Sequence, residues 1–253
     1  MPVGRPPLLL DRLRDSGLLD AAQLKELGLL PEAANADPRP LGLEILKRAW
    51  LTRFQINIIA QGRGKDLHLG PYVVLDSLGE GAMGQVFKAQ HRHMNRVVAL
   101  KVIRKEKLGS PEVVQRFYQE VQAAAQLSHP NIVVAYDAGD LETTHYLAIE
   151  YVDGMDLAKL VKQSGPLNVG QACEYIRQAA LGLQHAHERG LVHRDIKPSN
   201  LLLSRSTNAH GGAPAGLGAG TVKILDMGLA RWQGAGLKER GVTQVGAVIG
   251  TPD

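Results

Sequence analysis

The hydrophobic pattern of the sequence changes twice along the chain, and these changes limit the folds available to it. Residues 1–61 carry apolar side chains at three- and four-residue spacing, which is typical of short amphipathic helices. From Leu69 to about Tyr151 the pattern is that of short, Val-rich strands separated by glycine or polar residues. Beyond Gly154 the helical spacing returns. The sequence therefore predicts an α+β chain with a helical module, a sheet and a second helical part.

Cap and stop residues set the expected bounds of these elements. Four N-terminal helices are expected: one that ends at Gly17, and three that begin after Asp20, Asp37 and Thr52. Their apolar side chains, expected to face inward, are Leu8, Leu9, Leu10, Leu13, Leu24, Leu27, Leu43, Leu46, Trp50, Phe54, Ile58 and Ile59. The expected strands are 72–78, 85–89, 96–103, 132–136 and 146–151. Later helices are expected over about 110–126, 157–163 and 169–189, the last with an apolar face of Val169, Ala172, Ile176, Ala180 and Leu183. Residues 204–220, mostly Ser, Gly, Ala and Pro, are interpreted as a flexible surface loop.

Composition argues against several classes of protein. The net charge is +4, from 29 Lys and Arg against 25 Asp and Glu, and nucleic-acid binding would need a denser basic stripe. Cys173 is the single cysteine, so no intrachain disulfide can form and a reducing, cytoplasmic location is expected. The apolar run at residues 8–10 is too short for a signal peptide. No apolar run approaches the ~20 residues of a membrane span.

A glycine-spaced turn lies between the first two predicted strands. It runs through Leu78, Gly79, Glu80, Gly81, Ala82, Met83, Gly84, Gln85 and Val86. Because glycine has no side chain, backbone N–H groups of such a turn can approach phosphate oxygens closely. A plain hairpin turn explains a single match of this kind about as well. The turn is not followed by a helix, which argues against a Rossmann-type dinucleotide site.

Lys101 lies inside an apolar strand, on the same predicted face as Ala99 and Ile103. A lysine there needs an anion, because burying an unpaired ammonium group is costly. The alternative is an edge-strand lysine whose side chain extends to water. The next predicted helix favours the first interpretation, because Glu120 lies in the middle of its apolar face. We therefore predict an ion pair between Lys101 and Glu120 that directs Lys101 at phosphates.

Two loop segments carry side chains suited to phosphoryl transfer. Residues 193–200 read His-Arg-Asp-Ile-Lys-Pro-Ser-Asn, and residues 222–228 read Val-Lys-Ile-Leu-Asp-Met-Gly. Asp195 is placed to orient a hydroxyl and accept its proton, and Lys197 to neutralise the group in transit. Asn200 offers an uncharged oxygen to Mg²⁺, and Asp226 a charged one. A polar turn with a capping aspartate is the less specific alternative.

In this combination and order, the motifs resemble those of eukaryotic-type serine/threonine protein kinases, in their bacterial branch. The resemblance covers residues 72–253 and implies a two-lobed protein-kinase-like fold. It implies an antiparallel β N-lobe over 72–152 and a partial helical C-lobe over 153–253. Residues 1–61 would then be a separate helical module and 62–71 a linker.

The resemblance also implies a role for each motif residue. The turn at 79–86 would cover the nucleotide, with Lys101 as the strand lysine and Glu120 as its helix partner. Ile149 would be the gatekeeper before a hinge of Glu150, Tyr151 and Val152 that reads adenine, and Ala99 and Leu202 would enclose the base. Asp195 would be the catalytic base, and Asn200 and Asp226 the metal ligands. Arg194 would clamp a phosphorylated activation loop, in which Thr243 is the expected phosphosite. Lys197 and Thr251 favour serine or threonine over tyrosine as the acceptor.

Three features depart from the family pattern. Met227 stands where phenylalanine is usual, a mild change because methionine fills the same space. The spacing from Asn200 to Asp226 is longer than usual, and the excess falls in the predicted loop at 204–220. The sequence also ends 27 residues past Asp226, before an Ala-Pro-Glu motif and the helices that follow it in the family. The expectation from this ending is an intact set of catalytic side chains with weak turnover.

The expected function is transfer of the γ-phosphate of ATP, with Mg²⁺, to Ser or Thr hydroxyls of a protein substrate. One alternative is an ATP-binding but catalytically impaired kinase fragment or pseudokinase. A second is an interaction module that recruits a protein partner through residues 1–61.

Overall fold

The computed structural model of the protein describes residues 8–81, 84–104, 109, 111–141, 144–205 and 220–227. The chain divides into two compact units, and we describe each by itself. The first unit consists of Met1–Arg104 and Gly139–Tyr146, and the second of Lys105–Ala138 and Leu147–Asp253. Most of the predicted loop at 204–220 and everything after Met227 lie outside the described residues. Within the described residues, the structure contains no helix with the length and hydrophobicity that crossing a membrane requires.

The first unit opens with four short helices, as predicted: α1 (Leu9–Ser16), α2 (Ala21–Gly28), α3 (Pro38–Lys47) and α4 (Arg53–Ala60). The predicted caps are confirmed, because the side chains of Asp20, Asp37 and Thr52 each accept a backbone N–H of the first turn. One inward residue was predicted wrongly, because Leu43 is 57% exposed. Helix α3 packs its Gly42 side closely against Ile56 of α4, which leaves Leu43 facing away from the core.

Part of the stretch 62–71, predicted to be a linker, has regular structure. It forms a 3₁₀ turn, Gly64–Leu67, and the short strand β1, His68–Leu69. Leu67 is buried among the helices, and Gly64 lies so close to α1 that a Cβ there would be 2.8 Å from the Cβ of Ser16. The stretch is therefore packed against its neighbours, while the domain bounds given above stay a prediction.

The sheet consists of β1 and five longer strands: β2 (Tyr72–Gly81), β3 (Gly84–His91), β4 (Arg96–Arg104), β5 (Ala135–Leu141) and β6 (Thr144–Glu150). Its strand order is β1-β2-β3-β4-β6-β5, and the pairs among β1 to β4 are antiparallel. Val74 of β2 belongs to the same apolar core as Leu67, Ile56 and Ile59. The helices and the first strands of the sheet thus share one core.

The part of the second unit that the structure describes contains three α-helices, α5 (Pro111–Ala125), α6 (Leu157–Ser164) and α7 (Val169–His187). Its small antiparallel sheet has the order β7-β8-β9, from strands Gly154–Asp156, Leu201–Ser204 and Val222–Ile224. The core lies between α6, α7 and this sheet and includes Leu160, Tyr175, Leu201 and Ile224.

The strand predicted at 132–136 is wrong in its bounds. Ile132 forms a single parallel bridge with Ile224, and Val133 N donates to Ile224 O at 3.0 Å. Regular pairing begins at Ala135, in β5. At Ile132 and Val133 the segment does not pair with β6, because the backbone there is bonded to β9.

The predicted apolar face of α7 is wrong in part, although its member Leu183 packs against the core. Val169 and Ile176 are exposed, whereas the helix buries Tyr175, Ala179, Gly182 and Ala186. The reason is close packing: a Cβ on Gly182 would lie 2.8 Å from Ile224 Cδ1 and 3.0 Å from Asn131 O. Small side chains let α7 approach β9 more closely than its larger apolar face would.

Candidate active site

The glycine-spaced turn joins β2 to β3, with Gly81 opposite Gly84 at its end. A Cβ on Gly84 would lie 1.9 Å from Val102 O of β4, so only glycine fits there. A Cβ on Gly79 would meet no heavy atom within 4 Å. The fold therefore requires glycine at position 84, whereas at 79 it leaves space above the backbone. Ala82 and Met83 lie outside the described residues.

Lys101 lies on β4 directly opposite Val86 of the glycine-spaced turn. Strand β4 is flanked by β3 and β6, so the alternative of an edge-strand lysine is wrong. Ala99, two residues earlier, is buried at 8% exposure. Glu120 lies on α5, but its side chain is outside the described part of the structure, so the predicted ion pair with Lys101 stays a prediction.

The loop at 193–200 brings three predicted side chains together. Lys197 Nζ lies 2.9 Å from Asp195 Oδ2. Asn200 Nδ2 donates to Asp195 O at 2.7 Å and to Asp195 Oδ2 at 3.2 Å. Asn200 is buried at 9% exposure, at the end of a 3₁₀ turn that begins with Pro198. Asp195 therefore has its carboxylate held on a fixed loop between a cation and an amide.

His193 links this loop to the segment that carries Asp226. It is 2% exposed; its Nδ1 accepts from Asp195 N at 3.2 Å, and its Nε2 donates to Leu225 O at 2.7 Å. Because Nδ1 must accept, these bonds assign the neutral Nε2–H tautomer. Asn200 O accepts from Leu225 N at 2.9 Å, so the residue before Asp226 is held at both backbone atoms. No role was predicted for His193 from the sequence, and its apolar neighbours Leu191 and Val192 were the available signal.

Two of the predicted site residues have unusual backbone angles. Arg194 has φ 66° and Asp226 has φ 54°. Left-handed conformations are uncommon for residues other than glycine and cluster at functional sites, where the surrounding structure holds them. Arg194 is exposed, while Asp226 is partly buried.

Strand β9, which leads to Asp226, is anchored from two directions. Asn131 is 6% exposed, and its Nδ2 donates to Val222 O at 2.8 Å. Ile224 N donates to Asn131 O at 2.9 Å. On α7, Gln178 Oε1 accepts from Val222 N at 2.7 Å. These contacts, like that of His193, join residues far apart in the sequence, and motif spacing gave no sign of them.

The predicted hinge begins with a half-buried ion pair. Lys223 Nζ lies 2.8 Å from both Glu150 oxygens. Glu150 N also donates to Val134 O at 2.8 Å. The carboxylate of Glu150 is therefore bound by Lys223 of β9, the strand that leads to Asp226. This ion pair connects the predicted hinge to that strand. Val152 and Leu202 are partly buried, and Leu202 pairs with Lys223 in the small sheet.

The two predicted metal ligands, Asn200 and Asp226, offer oxygen atoms to a divalent metal ion. Among the described residues, no three His, Cys, Asp or Glu side chains come together as a metal site. Both hydrogen bonds of Asn200 given above use Nδ2, which leaves Oδ1 on the opposite side of the amide. An amide oxygen and a carboxylate are hard donors, of the kind that hard divalent ions accept. Thr243 and Thr251 lie outside the described residues.

These loops and the two sheets define the class of protein. The family model described as "Protein kinase domain" matches residues 72–252. The chain belongs to the protein kinase family, and the predicted family and fold class are confirmed.

Bacterial serine/threonine kinases are among the proteins similar to this chain. The chain is 40% identical over 184 residues to serine/threonine-protein kinase PknB of Mycobacterium leprae, covering 71% of this chain and 27% of PknB. It is 34% identical to PrkC of Bacillus subtilis, over 72% of this chain and 26% of PrkC. The match thus spans about a quarter of the length of these curated relatives. Among solved structures, the kinase domain of Mycobacterium tuberculosis PknI has a TM-score of 0.53 at 32% identity, covering 64% of this chain and 61% of that one.

Proposed function

We propose that this chain is an ATP-dependent protein kinase that phosphorylates Ser or Thr hydroxyls of a protein substrate. The observation that carries the proposal is the cluster of Asp195, Lys197 and Asn200, joined through His193 and Leu225 to the segment of Asp226. Similarity to bacterial serine/threonine kinases supports the acceptor class. The single cysteine supports a reducing compartment such as the cytoplasm.

The chemistry assigns a task to each side chain. Asp195 orients the acceptor hydroxyl and takes its proton, while Lys197 neutralises charge on the phosphoryl group. Asn200 Oδ1 and the Asp226 carboxylate would hold Mg²⁺, which would neutralise charge on the phosphates when bound. The turn at 79–86 and Lys101 hold the phosphates of ATP, and Ala99, Glu150, Val152 and Leu202 enclose the base.

Transfer of ³²P from ATP to matched peptides with Ser, Thr or Tyr tests the reaction. We expect Ser and Thr peptides to be labelled and the Tyr peptide not to be. Asp195→Asn keeps the shape of the side chain but cannot accept the proton, so the rate should fall by about 10² to 10⁴. Asp153→Asn, at an exposed position outside the proposed site, is the matched control and should keep the wild-type rate. Equal rates for Asp195→Asn and wild type would contradict the assignment.

Calorimetry separates the proposal from its alternatives. Heat of Mg·ATP binding without labelling of any peptide would favour the catalytically impaired alternative. Absence of heat in both wild type and Lys101→Ala at millimolar ATP would favour the interaction module at residues 1–61. The exposed side chains of Leu29 and Leu43 are the apolar surface that this module offers to a partner.

Regulation by phosphorylation at Thr243 is part of the proposal. Thr243 is the one hydroxyl residue between Gly228 and Gly250. A phosphate there would add nearly two negative charges, and the exposed guanidinium of Arg194 is the expected partner. We expect peptide mass mapping after incubation with ATP to find phosphate on Thr243, and Thr243→Ala to lower the transfer rate. The assignment would be wrong if phosphate were found only at other residues and Thr243→Ala kept the wild-type transfer rate.

A further inference from the structure

Helix α4 meets strand β2 just before the glycine-spaced turn. Thr52 Oγ1 donates to Leu75 O at 2.5 Å, and Gln55 Nε2 donates to Val74 O at 2.8 Å. Gln55 is 3% exposed, so its bond is shielded from water. The two side chains therefore connect the helical residues to the strand that leads into the turn.

The same two side chains also cap α4. Thr52 Oγ1 accepts from Gln55 N at 3.1 Å, and Gln55 Oε1 accepts from Thr52 N at 2.9 Å. A hydroxyl and a primary amide each hold a donor and an acceptor. Here the acceptors cap the helix and the donors bind the strand, so each side chain serves both purposes at once.

The strand is irregular where these donors bind. Val74 pairs with Ala89 and Asp76 with Lys88, so Leu75 is the extra residue of a bulge. The bulged residue is left out of the ladder, and its partly buried carbonyl needs another hydrogen-bond partner. Thr52 supplies the donor that the ladder does not provide to Leu75.

Apolar contacts extend the connection to both strands that flank the turn. Ile56 and Ile59 of α4 belong to the same core as Val74. The ring of Phe54 lies 6.4 Å from that of Phe87, which sits on β3 opposite Ser77. Helix α4 therefore supports β2 and β3 together.

We propose that Thr52 and Gln55 are positioning residues for the glycine-spaced turn and, through it, for nucleotide binding. Leu75 lies four residues before Gly79, about 13 Å along an extended strand. The pairing of β2 with β3 has a second register shift, between Ser77 and Gly79. Two bulges therefore set the position of the turn relative to β3, and the bonds to Val74 and Leu75 fix the first of them. The inference rests on the proposed nucleotide function and gives part of residues 1–61 a role inside the chain.

Two variants of the full chain test the proposal. Gln55→Glu keeps the acceptor for Thr52 N but places an acceptor against Val74 O. Thr52→Asp keeps the helix cap but lacks the hydroxyl that donates to Leu75 O. We expect each to weaken Mg·ATP binding in calorimetry about fivefold, the effect of losing one hydrogen bond. We also expect faster amide hydrogen exchange at residues 76–80.

Two matched controls isolate the strand contact from helix capping. Gln23 holds the equivalent place in the exposed capping box of α2, where Asp20 N donates to its Oε1 at 2.9 Å. Gln23→Glu should change neither Mg·ATP affinity nor exchange at 76–80. Thr52→Ser keeps both bonds of Thr52 and should behave like the wild type.

The outcomes distinguish this proposal from the proposed function. If both test variants melt cooperatively yet keep wild-type affinity and exchange at 76–80, the positioning role is overturned. If the wild-type chain binds no Mg·ATP, the proposed nucleotide function is wrong. Hydrogen exchange at residues 76–80 then decides whether Thr52 and Gln55 position the turn. Faster exchange in Gln55→Glu and Thr52→Asp, but not in Gln23→Glu, then supports the positioning of the turn, and unchanged exchange overturns it.

Discussion

Asn200 shows how one residue can serve two parts of a site, through its side chain and its backbone. Its amide nitrogen braces both the backbone and the carboxylate of Asp195. Its backbone oxygen holds Leu225, next to Asp226. An aspartate of the same shape would set an acceptor against Asp195 and lose the brace. The amide is therefore required by the loop itself, in addition to the metal-binding role that the sequence suggested.

Two glycines in the turn are expected to respond differently to alanine. Gly84→Ala would place a Cβ 1.9 Å from Val102 O, so we expect it to destabilise the protein by about 1–3 kcal/mol or more in thermal unfolding. Gly79→Ala has space for its Cβ and should leave the melting temperature within about 2 °C, while weakening Mg·ATP binding in calorimetry. Equal melting temperatures for the two variants would show that β4 does not restrict position 84.

At the scale of elements, close packing rather than hydrophobicity determines which face of α7 is buried. The sequence correctly predicted that α7 exists, with bounds near Val169 and His187. It gave the wrong buried face, because hydrophobic periodicity scores Val169 and Ile176 above Ala179 and Gly182. The close approach to Ile224 and Asn131 that selects the small residues comes from distant parts of the chain. Periodicity within one helix carries no information about that approach.

His129, between α5 and the parallel bridge, should make stability depend on pH. Burial, followed by the charges of His185 and Lys223, lowers the pKa of His129 below its ordinary value. Its ring lies 5.0 Å from that of His185 on α7. Because the unfolded chain then binds the proton more readily, the free energy of unfolding should fall as pH drops below about 6.5. Urea unfolding at pH 7.5 and 5.5 measures this loss.

Variants assign that pH dependence to one side chain. His129→Gln removes the titrating ring and should reduce the difference in unfolding free energy between the two pH values. His187→Gln, at an exposed position near the end of α7, should keep the wild-type difference. If His129→Gln showed the same difference in unfolding free energy between the two pH values as the wild type, the assignment would be wrong.

At the scale of the whole molecule, the sequence predicted which side chains lie together within one loop better than it predicted the connections between elements. Asp195, Lys197 and Asn200 are close together because their spacing within one loop almost ensures it. His193, Asn131 and Gln178 act on residues more than thirty positions away, and only the folded chain shows those partners. The same holds for the N-terminal helices, whose capping residues were predicted but whose contact with β2 was not.

A chain beginning at Gly62 should therefore be less stable than the full chain. Leu67 and Val74 are buried at 1% and 2% exposure against helices that such a chain would lack. Each buried aliphatic side chain is worth about 1.5–3 kcal/mol, so exposing both should cost about 3–6 kcal/mol. That is a large part of the roughly 5–15 kcal/mol that stabilises a typical domain. We expect a lower melting temperature and reduced solubility for the shortened chain.

Point variants of the full chain distinguish loss of the shared core from loss of length. Ile59→Ala removes a side chain with 0% exposure and should cost about 2–5 kcal/mol in urea unfolding. Leu43→Ala removes a side chain of α3 that is 57% exposed. This control should change the free energy of unfolding by less than about 0.5 kcal/mol. If the chain beginning at Gly62 and Ile59→Ala both unfolded at the wild-type temperature, the helices and the sheet would be independent domains. If both are destabilised, the helices are part of the fold that holds the glycine-spaced turn.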